Sequence, residues 1–287
     1  MSDRYVESGY SRTIVSSAFG LHRSTLYKIE GDAGQISTKE PEIDEELALR
    51  IRGILDEEET FGYRRVWAHL RFKEGMMVNI KKVHRIMKLK GWQCRLWNRR
   101  GRKGPKVERK RSAVDRPDVL WSTDLTKVYC GRDGWCSLIG VIDNGNREIV
   151  GYRFNRRGRA LEASDALNQA VVARYGSREK VPKGLGLRHD NGSIFLARAY
   201  ITSARYWGIG QEYIPAGRPD WNGVIERFFL SFKLECVWLH RFESFEQAEI
   251  VIAQWIENYN KNRLHSSLGY KTPERWRKEF YELPQAA

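Results

Sequence analysis

Three β-rich runs separated by two Asx-Gly turns constrain this chain more than anything else in it. The runs Trp121–Tyr129 (WSTDLTKVY), Trp135–Ile142 (WCSLIGVI) and Arg147–Phe154 (REIVGYRF) are joined by GRDG and DNGN. An Asx-Gly pair between strand-forming segments is a strong hairpin signal, so a three-stranded antiparallel meander is expected. A helix over Ala160–Tyr175 follows, then a short buried strand in GLGLRHDNG ending at Asp190. Next come a helix Phe195–Trp207, a strand in IGQEYIP, a long helix Gly223–Leu239 and a last helix Phe245–Asn260 before a turn-rich tail. The order βββαβαβ-α predicts an α/β fold, a mixed sheet flanked by helices, over residues 117–275, with a tail at 276–287.

The N-terminal part reads as all-α. Residues 1–42 hold a short helical piece and a polar linker, Gly31–Pro41. Within that piece GLHRSTLYKIEG, with an N-cap candidate at Ser24 or Thr25, resembles the second half of a helix-turn-helix. From 43 to 96 the apolar spacing is helical: Leu47, Ile51, Ile54 and Leu55, then Val66, Trp67 and Leu70, then Ile80, Val83, Ile86, Met87 and Leu89. Asn79 can cap the third helix and Gly91 can stop it. That helix carries Lys81, Lys82 and Arg85, so it is either the major-groove helix of a helix-turn-helix or the solvated basic face of a small bundle.

Charge narrows the partner. The chain of 287 residues has a net charge of +14, and the twenty residues 97–116 (WNRRGRKGPKVERKRSAVDR) hold nine Lys and Arg against two acids. Such a segment cannot bury itself, and Arg99, Arg100, Arg102 and Lys103 are candidate phosphate contacts on a polyanion such as double-stranded DNA. The bland alternative is a solvated linker. The longest apolar runs fall far short of the ~20 residues of a membrane span, and the N-terminus lacks a secretory signal, so a cytoplasmic, non-membrane protein is expected. Cys94, Cys130, Cys136 and Cys236 form no CxxC pair and read as free thiols rather than a metal site.

The chemistry lies in three acids. Asp124 is placed mid-strand, where a carboxylate is disfavoured and has to be paired, solvated or bound to a cation. Asp190 falls at the carboxyl end of a strand that returns beside the first, where ligands of open α/β sheets bind. Glu226 starts the long helix, with Asn222 as a possible cap. Taken singly, Asp190 could form an ordinary Asx turn and Glu226 could merely complement a helix dipole. Together they can supply oxygen ligands to Mg²⁺, and two such ions ~3.5–4 Å apart suit in-line displacement at phosphorus. Lys233, seven residues past Glu226, lies about 20° from the same helix face. It can hold a phosphate there, or be a surface lysine. His189 reads as a packing residue.

These segments resemble the DDE transposases of the IS-three insertion-sequence family, in their OrfB catalytic portion, which are related to retroviral integrases. The matching pieces are WSTD at 121–124, HDNG at 189–192, PDWNGVIERFF at 219–229, KLE at 233–235 and YNKNRLHSSLGYKTP at 259–273, with 35 residues between Asp190 and Glu226. FGYRRVWAHL at 61–70 and KKVHRIM at 81–87 resemble the helix-turn-helix that precedes the integrase core in that family. One departure is Arg188-His189, where the family often has His-Ser. The resemblance implies an RNase H-like core in which Asp124, Asp190 and Glu226 bind Mg²⁺ or Mn²⁺. It implies hydrolysis exposing a 3′-OH at an element end, then attack of that 3′-OH on target DNA, without a covalent protein–DNA intermediate. It further implies work in the bacterial cytoplasm near the nucleoid, a possible homo-oligomer, and an upstream OrfA product joined by frameshift fusion or association. No sustained heptad repeat stands here, so part of end recognition is expected from such a partner. A catalytically idle DNA-binding accessory or regulatory protein, and a nuclease that only cuts, are the competing readings.

Overall fold

Alternation along the expected meander decides which helices cover which face of the sheet. The computed structural model describes residues 2–21, 43–93, 114–215, 217 and 219–282. They divide into two units, 1–46 and 47–287. In the first unit, α1 (Ser2–Glu7) and α2 (Arg12–Ala18) stand where one helical piece was expected. Ser24, Thr25 and the Gly31–Pro41 linker lie outside the described residues.

Three helices then form: α3 (Glu45–Glu57), α4 (Tyr63–Phe72) and α5 (Ile80–Leu89). The expected apolar residues meet in a core that includes Ile51, Ile54, Val66, Leu70, Val83, Ile86 and Met87, all buried. Leu89 departs from that stripe: at the last position of α5 it is exposed. Asn79 caps α5 as its side chain implies, accepting a hydrogen bond from Lys81 N at 2.8 Å.

The sheet has the order β3-β2-β1-β4-β5, built from β1 (Leu120–Tyr129), β2 (Trp135–Asp143), β3 (Ile149–Asn155), β4 (Gly186–His189) and β5 (Gly210–Tyr213). The first three strands are antiparallel, while β4 runs parallel to β1 and β5 parallel to β4. Between strands lie α6 (Ala160–Tyr175), α7 (Ser193–Leu196) and α8 (Arg198–Tyr206). After them come α9 (Gly223–Glu235), α10 (Phe245–Lys261) and α11 (Pro273–Glu282). Trp121, Ile139 and Val141 pack with α6 and α8, whereas Val128, Leu138 and Ile142 pack with Phe228, Phe229 and Phe232 of α9 and with α10. Gly151 of β3 lets α6 sit close, since a Cβ there would lie 2.6 Å from the Ala166 carbonyl oxygen.

Several boundaries differ from the expectation, each for a local reason. Arg147 is in the turn rather than the strand, with φ of +64°. The helix expected over Phe195–Trp207 is broken at Ala197, whose backbone is extended. The long helix ends at Glu235, and Val237–Leu239 forms a separate 3₁₀ turn. The segment after Asn260, read as rich in turns, contains helix α11. Its Arg277 Nε lies 2.8 Å from Glu148, and Tyr281 OH donates to Asp118 at 2.9 Å, so polar contacts hold it down.

Candidate active site

Asp124 is the fifth residue of β1 and pairs opposite Gly140 of β2. Val128 of β1 packs in the cluster with α9 and α10, and strand alternation puts Asp124 on that same face. With no side chain at Gly140, the space above this point belongs to α9: a Cβ there would meet the Phe229 and Phe228 rings at 3.6 and 3.8 Å. The apolar contact of α9 thereby brings its first turn, with Glu226, and its Lys233 toward the acid of the neighbouring strand.

Electrostatics tie the group together. Burial pushes the Asp124 carboxyl up to about 6. A 2.7 Å hydrogen bond from Leu125 N opposes this, the charges of Asp190 and Glu226 add to it, and Lys233 opposes it. Asp190 lies one residue beyond β4 and is exposed, as expected for a strand end. Its Oδ1 accepts from Gly192 N at 3.0 Å, so an Asx turn is present there as well. Glu226 is exposed in the first turn of α9. Asn222 occupies the N-cap position without a side-chain capping bond, and its buried Oδ1 has no hydrogen-bond partner.

Asp190 and Glu226 are within electrostatic reach of Asp124, but the three are not in chelating contact. Among the described residues, no three Asp, Glu, His or Cys side chains are gathered closely enough to hold a metal ion. The donor set nonetheless fits a hard dication: it is all carboxylate oxygen, and its mutual repulsion disfavours ionised Asp124 until positive charge arrives. Asp190 and Glu226 are exposed, so turning their side chains toward Asp124 moves no core residue.

A residue the sequence reading passed over positions this site. Arg188, in β4 two residues before Asp190, is buried; its Nη2 pairs with Glu212 at 2.8 Å and its Nη1 donates to the Trp221 carbonyl at 3.0 Å. The strand carrying Asp190 is thereby tied to the turn that launches the helix carrying Glu226. A cation inside a short buried strand was the available signal. His189 is fully buried, within hydrogen-bond distance of Asp190 O (2.7 Å) and Gln211 Nε2 (3.1 Å), and against Phe195, Tyr200 and Tyr213. Burial holds its pKa below the usual imidazole value. It packs.

The remaining candidates are spread more widely. On α5, Lys81, Arg85 and Lys88 are exposed along one face at i, i+4 and i+7, while Lys82 is half-buried to one side. Arg99, Arg100, Arg102 and Lys103 lie outside the described residues. Cys130, Cys136 and Cys236 are buried free thiols. No helix among the described residues is long and apolar enough to cross a membrane.

Comparison with known proteins places the chain in a family. The family described as "Integrase core domain" matches residues 114–219, a second family of the same description matches 207–273, and "HTH-like domain" matches 42–101. A protein of insertion element IS407 from Burkholderia multivorans is 31% identical over 255 residues, covering 88% of this chain and 86% of that one. Transposase InsD of insertion element IS2 from Escherichia coli is 27% identical, covering 94% and 92%. Among solved structures, the HTLV-2 integrase catalytic core domain in complex with magnesium aligns over 56% of this chain and 97% of its own, with 17% identity and a TM-score of 0.41. The fold is an RNase H-like integrase core preceded by an HTH-like domain, as expected. The chain belongs to the transposases of bacterial insertion sequences, polynucleotidyl transferases of the integrase-core type, in keeping with the OrfB proteins of the IS-three family.

Proposed function

We propose that this chain cuts the 3′ ends of its insertion sequence and joins them to target DNA by in-line phosphoryl transfer, with Asp124, Asp190 and Glu226 holding two Mg²⁺ (or Mn²⁺) ions. The observation that carries this reading is electrostatic. Acids from a crossover strand and from a helix start both bear on a carboxylate placed mid-strand. When bound, such ions activate the attacking oxygen and stabilise the leaving one.

The bond changes balance without an external energy source. In cleavage, water oxygen attacks phosphorus, the P–O3′ bond breaks, and a 3′-OH and a 5′-phosphate result. In joining, that 3′-OH attacks a target phosphodiester, and one P–O bond forms for the one that breaks. Water and the DNA hydroxyl serve as nucleophiles, so no side chain has to be esterified. Lys233, two turns along α9 from Glu226, holds a phosphate beside the acids. The exposed face of α5 with Lys81 and Arg85, flanked by Lys82, grips duplex DNA, and the 97–116 arm adds phosphate contacts. A second copy of the chain and an OrfA product are the protein partners of this reading.

The test is a joining assay with a duplex ending in the element's terminal repeat. Shortened and joined strands are expected with Mg²⁺ and neither with EDTA. The separation of the carboxylates favours a second reading, a catalytically idle accessory protein. DNA binding without cleavage or joining at any Mg²⁺ or Mn²⁺ concentration would establish it instead. Cleavage without joining would leave a nuclease.

The arm has its own expected outcome. Neutralising Arg99, Arg100, Arg102 and Lys103 to Gln removes up to four phosphate contacts, at ~0.9 per contact in the slope of log affinity against log salt. A titration of duplex affinity from low to high salt should flatten by about 3 to 4 units. An unchanged slope makes the arm a linker only.

A further inference from the structure

The loop between α4 and α5 presents a side chain that the rest of the fold leaves uncovered. Met77 is 83% exposed, and among the described residues no large apolar side chain is more so. A single exposed apolar residue is ordinary on a surface. What sets this one apart is that its backbone is fixed on both sides. Gly75 follows α4 with φ of +71°, after which Met76 N donates to Leu70 O at 2.8 Å. Val78 N donates to Met76 O at 3.0 Å, which makes a γ-turn with Met77 at its tip. Val78 O in turn accepts from Trp67 Nε1 at 2.9 Å. Arg71 Nη1 contacts the Met77 sulfur, and most of the side chain still stands in water.

Its neighbours along the chain are cationic and open a helix. Asn79 caps α5 two residues after Met77, and Lys81, Arg85 and Lys88 then follow on one exposed face. In a groove-reading helix the N-terminal residues are the ones that reach base edges, while contacts to phosphates fix its register. Met77 stands directly ahead of that end.

A rigidly held apolar knob beside a row of cations suits a polyanion that carries apolar points at fixed places. Duplex DNA is such a ligand. The thymine C5-methyl is the apolar feature of the base edges in the major groove, and the minor groove offers no counterpart. We propose that Met77 is a specificity-determining residue, whose side chain packs on a thymine C5-methyl in the major groove when α5 binds duplex DNA. This rests on the reading of α5 as the helix that grips DNA, and not on the three acids. An unbranched thioether suits the contact, since it adjusts its shape and brings no strong hydrogen-bonding group to desolvate. The contact makes affinity depend on a particular base, whereas the phosphate contacts of Lys81, Arg85 and Lys88 act alike on every sequence.

The test uses the full chain in EDTA, so that no chemistry intervenes, with two labelled duplexes of the element's terminal repeat. One is natural and the other has every thymine replaced by deoxyuridine, which deletes the C5-methyl and keeps the O4 acceptor. Fluorescence anisotropy at fixed salt should show the natural duplex bound about fourfold more tightly, as expected for one buried methyl. Single replacements should assign the effect to one position. Met77→Gln, of similar length but polar, should bind both duplexes alike, and Met77→Leu should keep most of the preference. Both variants should unfold at the wild-type temperature, since the side chain is exposed. Equal affinity of the wild-type chain for the two duplexes overturns the proposal, and is the result expected if a protein covers Met77 instead. A preference undiminished in Met77→Gln overturns it as well and assigns the methyl contact to another residue. Failure of the wild-type chain to hold either duplex removes the reading of α5 together with the role of Met77, whereas duplex binding without a methyl preference removes Met77 alone.

Discussion

Asp124→Asn, Asp190→Asn and Glu226→Gln should each lower Mg²⁺-dependent cleavage and joining by more than about a hundredfold, with duplex affinity nearly unchanged. The magnitude follows from the role assigned. Removing a residue that merely orients a metal ligand typically costs about 10–100-fold, so removing a ligand itself costs more. Binding should be spared because the proposed grip on the duplex is by cations on α5 and the arm, and each substitution subtracts a negative charge from a site that would meet phosphates. Loss of fold would not explain the result. Asp124 carries a charge that burial already disfavours, pushing its carboxyl up to about 6, so Asp124→Asn should leave Tm unchanged or raise it. Gel-resolved joining, anisotropy and thermal unfolding on the same preparations read the three quantities. A single variant that joins DNA at the wild-type rate removes that residue from the site.

The fold was legible where local chemistry and long-range pairing agree. The Asp-Gly and Asn-Gly turns mark the meander, and β1, β2 and β3 pair antiparallel across those two turns. Asp124 drew attention because a carboxylate is disfavoured in mid-strand, and Asp190 and Glu226 because of their element ends. The hidden parts depend on partners far away in sequence. Arg188 reads as a misplaced charge until Glu212 and the Trp221 carbonyl are beside it. Helix α11 has only a short apolar stripe, Pro273, Trp276 and Phe280, of which Pro273 alone is fully buried, so PERWRKEFYE is easily passed over as a solvated tail. Its contacts to Asp118 and Glu148 span more than 120 positions. Leu89, the last residue of α5, was assigned inward from helical spacing, yet it is exposed at the helix end.

Glu235 shows the same limit, and its substitution should have the largest effect on stability. In the sequence it closes a KLE motif without an evident task. In the fold its side chain is 9% exposed and binds two arginines at once. Arg263 engages it through Nε at 2.9 Å and Nη2 at 3.0 Å, and Arg65 of α4 reaches it at 2.7 Å. One carboxylate therefore joins the helical bundle, α9 and the chain after α10. Trp67 and Phe72 support the same junction by packing on Tyr270 at 5.3 and 5.2 Å. Glu235→Gln keeps the shape but leaves two guanidiniums facing each other, and breaking a buried pair this way costs about 3–5 kcal/mol. Since whole domains are stable by only about 5–15 kcal/mol, Tm should fall sharply. Arg65→Met, which removes the more exposed partner and leaves the Arg263 pair, should cost less. The pH dependence has a definite sign. Burial alone would raise the Glu235 pKa, but the hydrogen bonds and charges of Arg263 and Arg65 outweigh it and hold the value below the ordinary one. A carboxyl depressed in the folded state stabilises above its unfolded pKa and loses that contribution as pH falls through the folded value. The stability gap between wild type and Glu235→Gln should thus be full at neutral pH and close in acid, below about pH 4. Thermal unfolding followed by circular dichroism from pH 7 to pH 3 measures it. Parallel curves for the two proteins over that range would mean that the ionised carboxylate does not hold the junction.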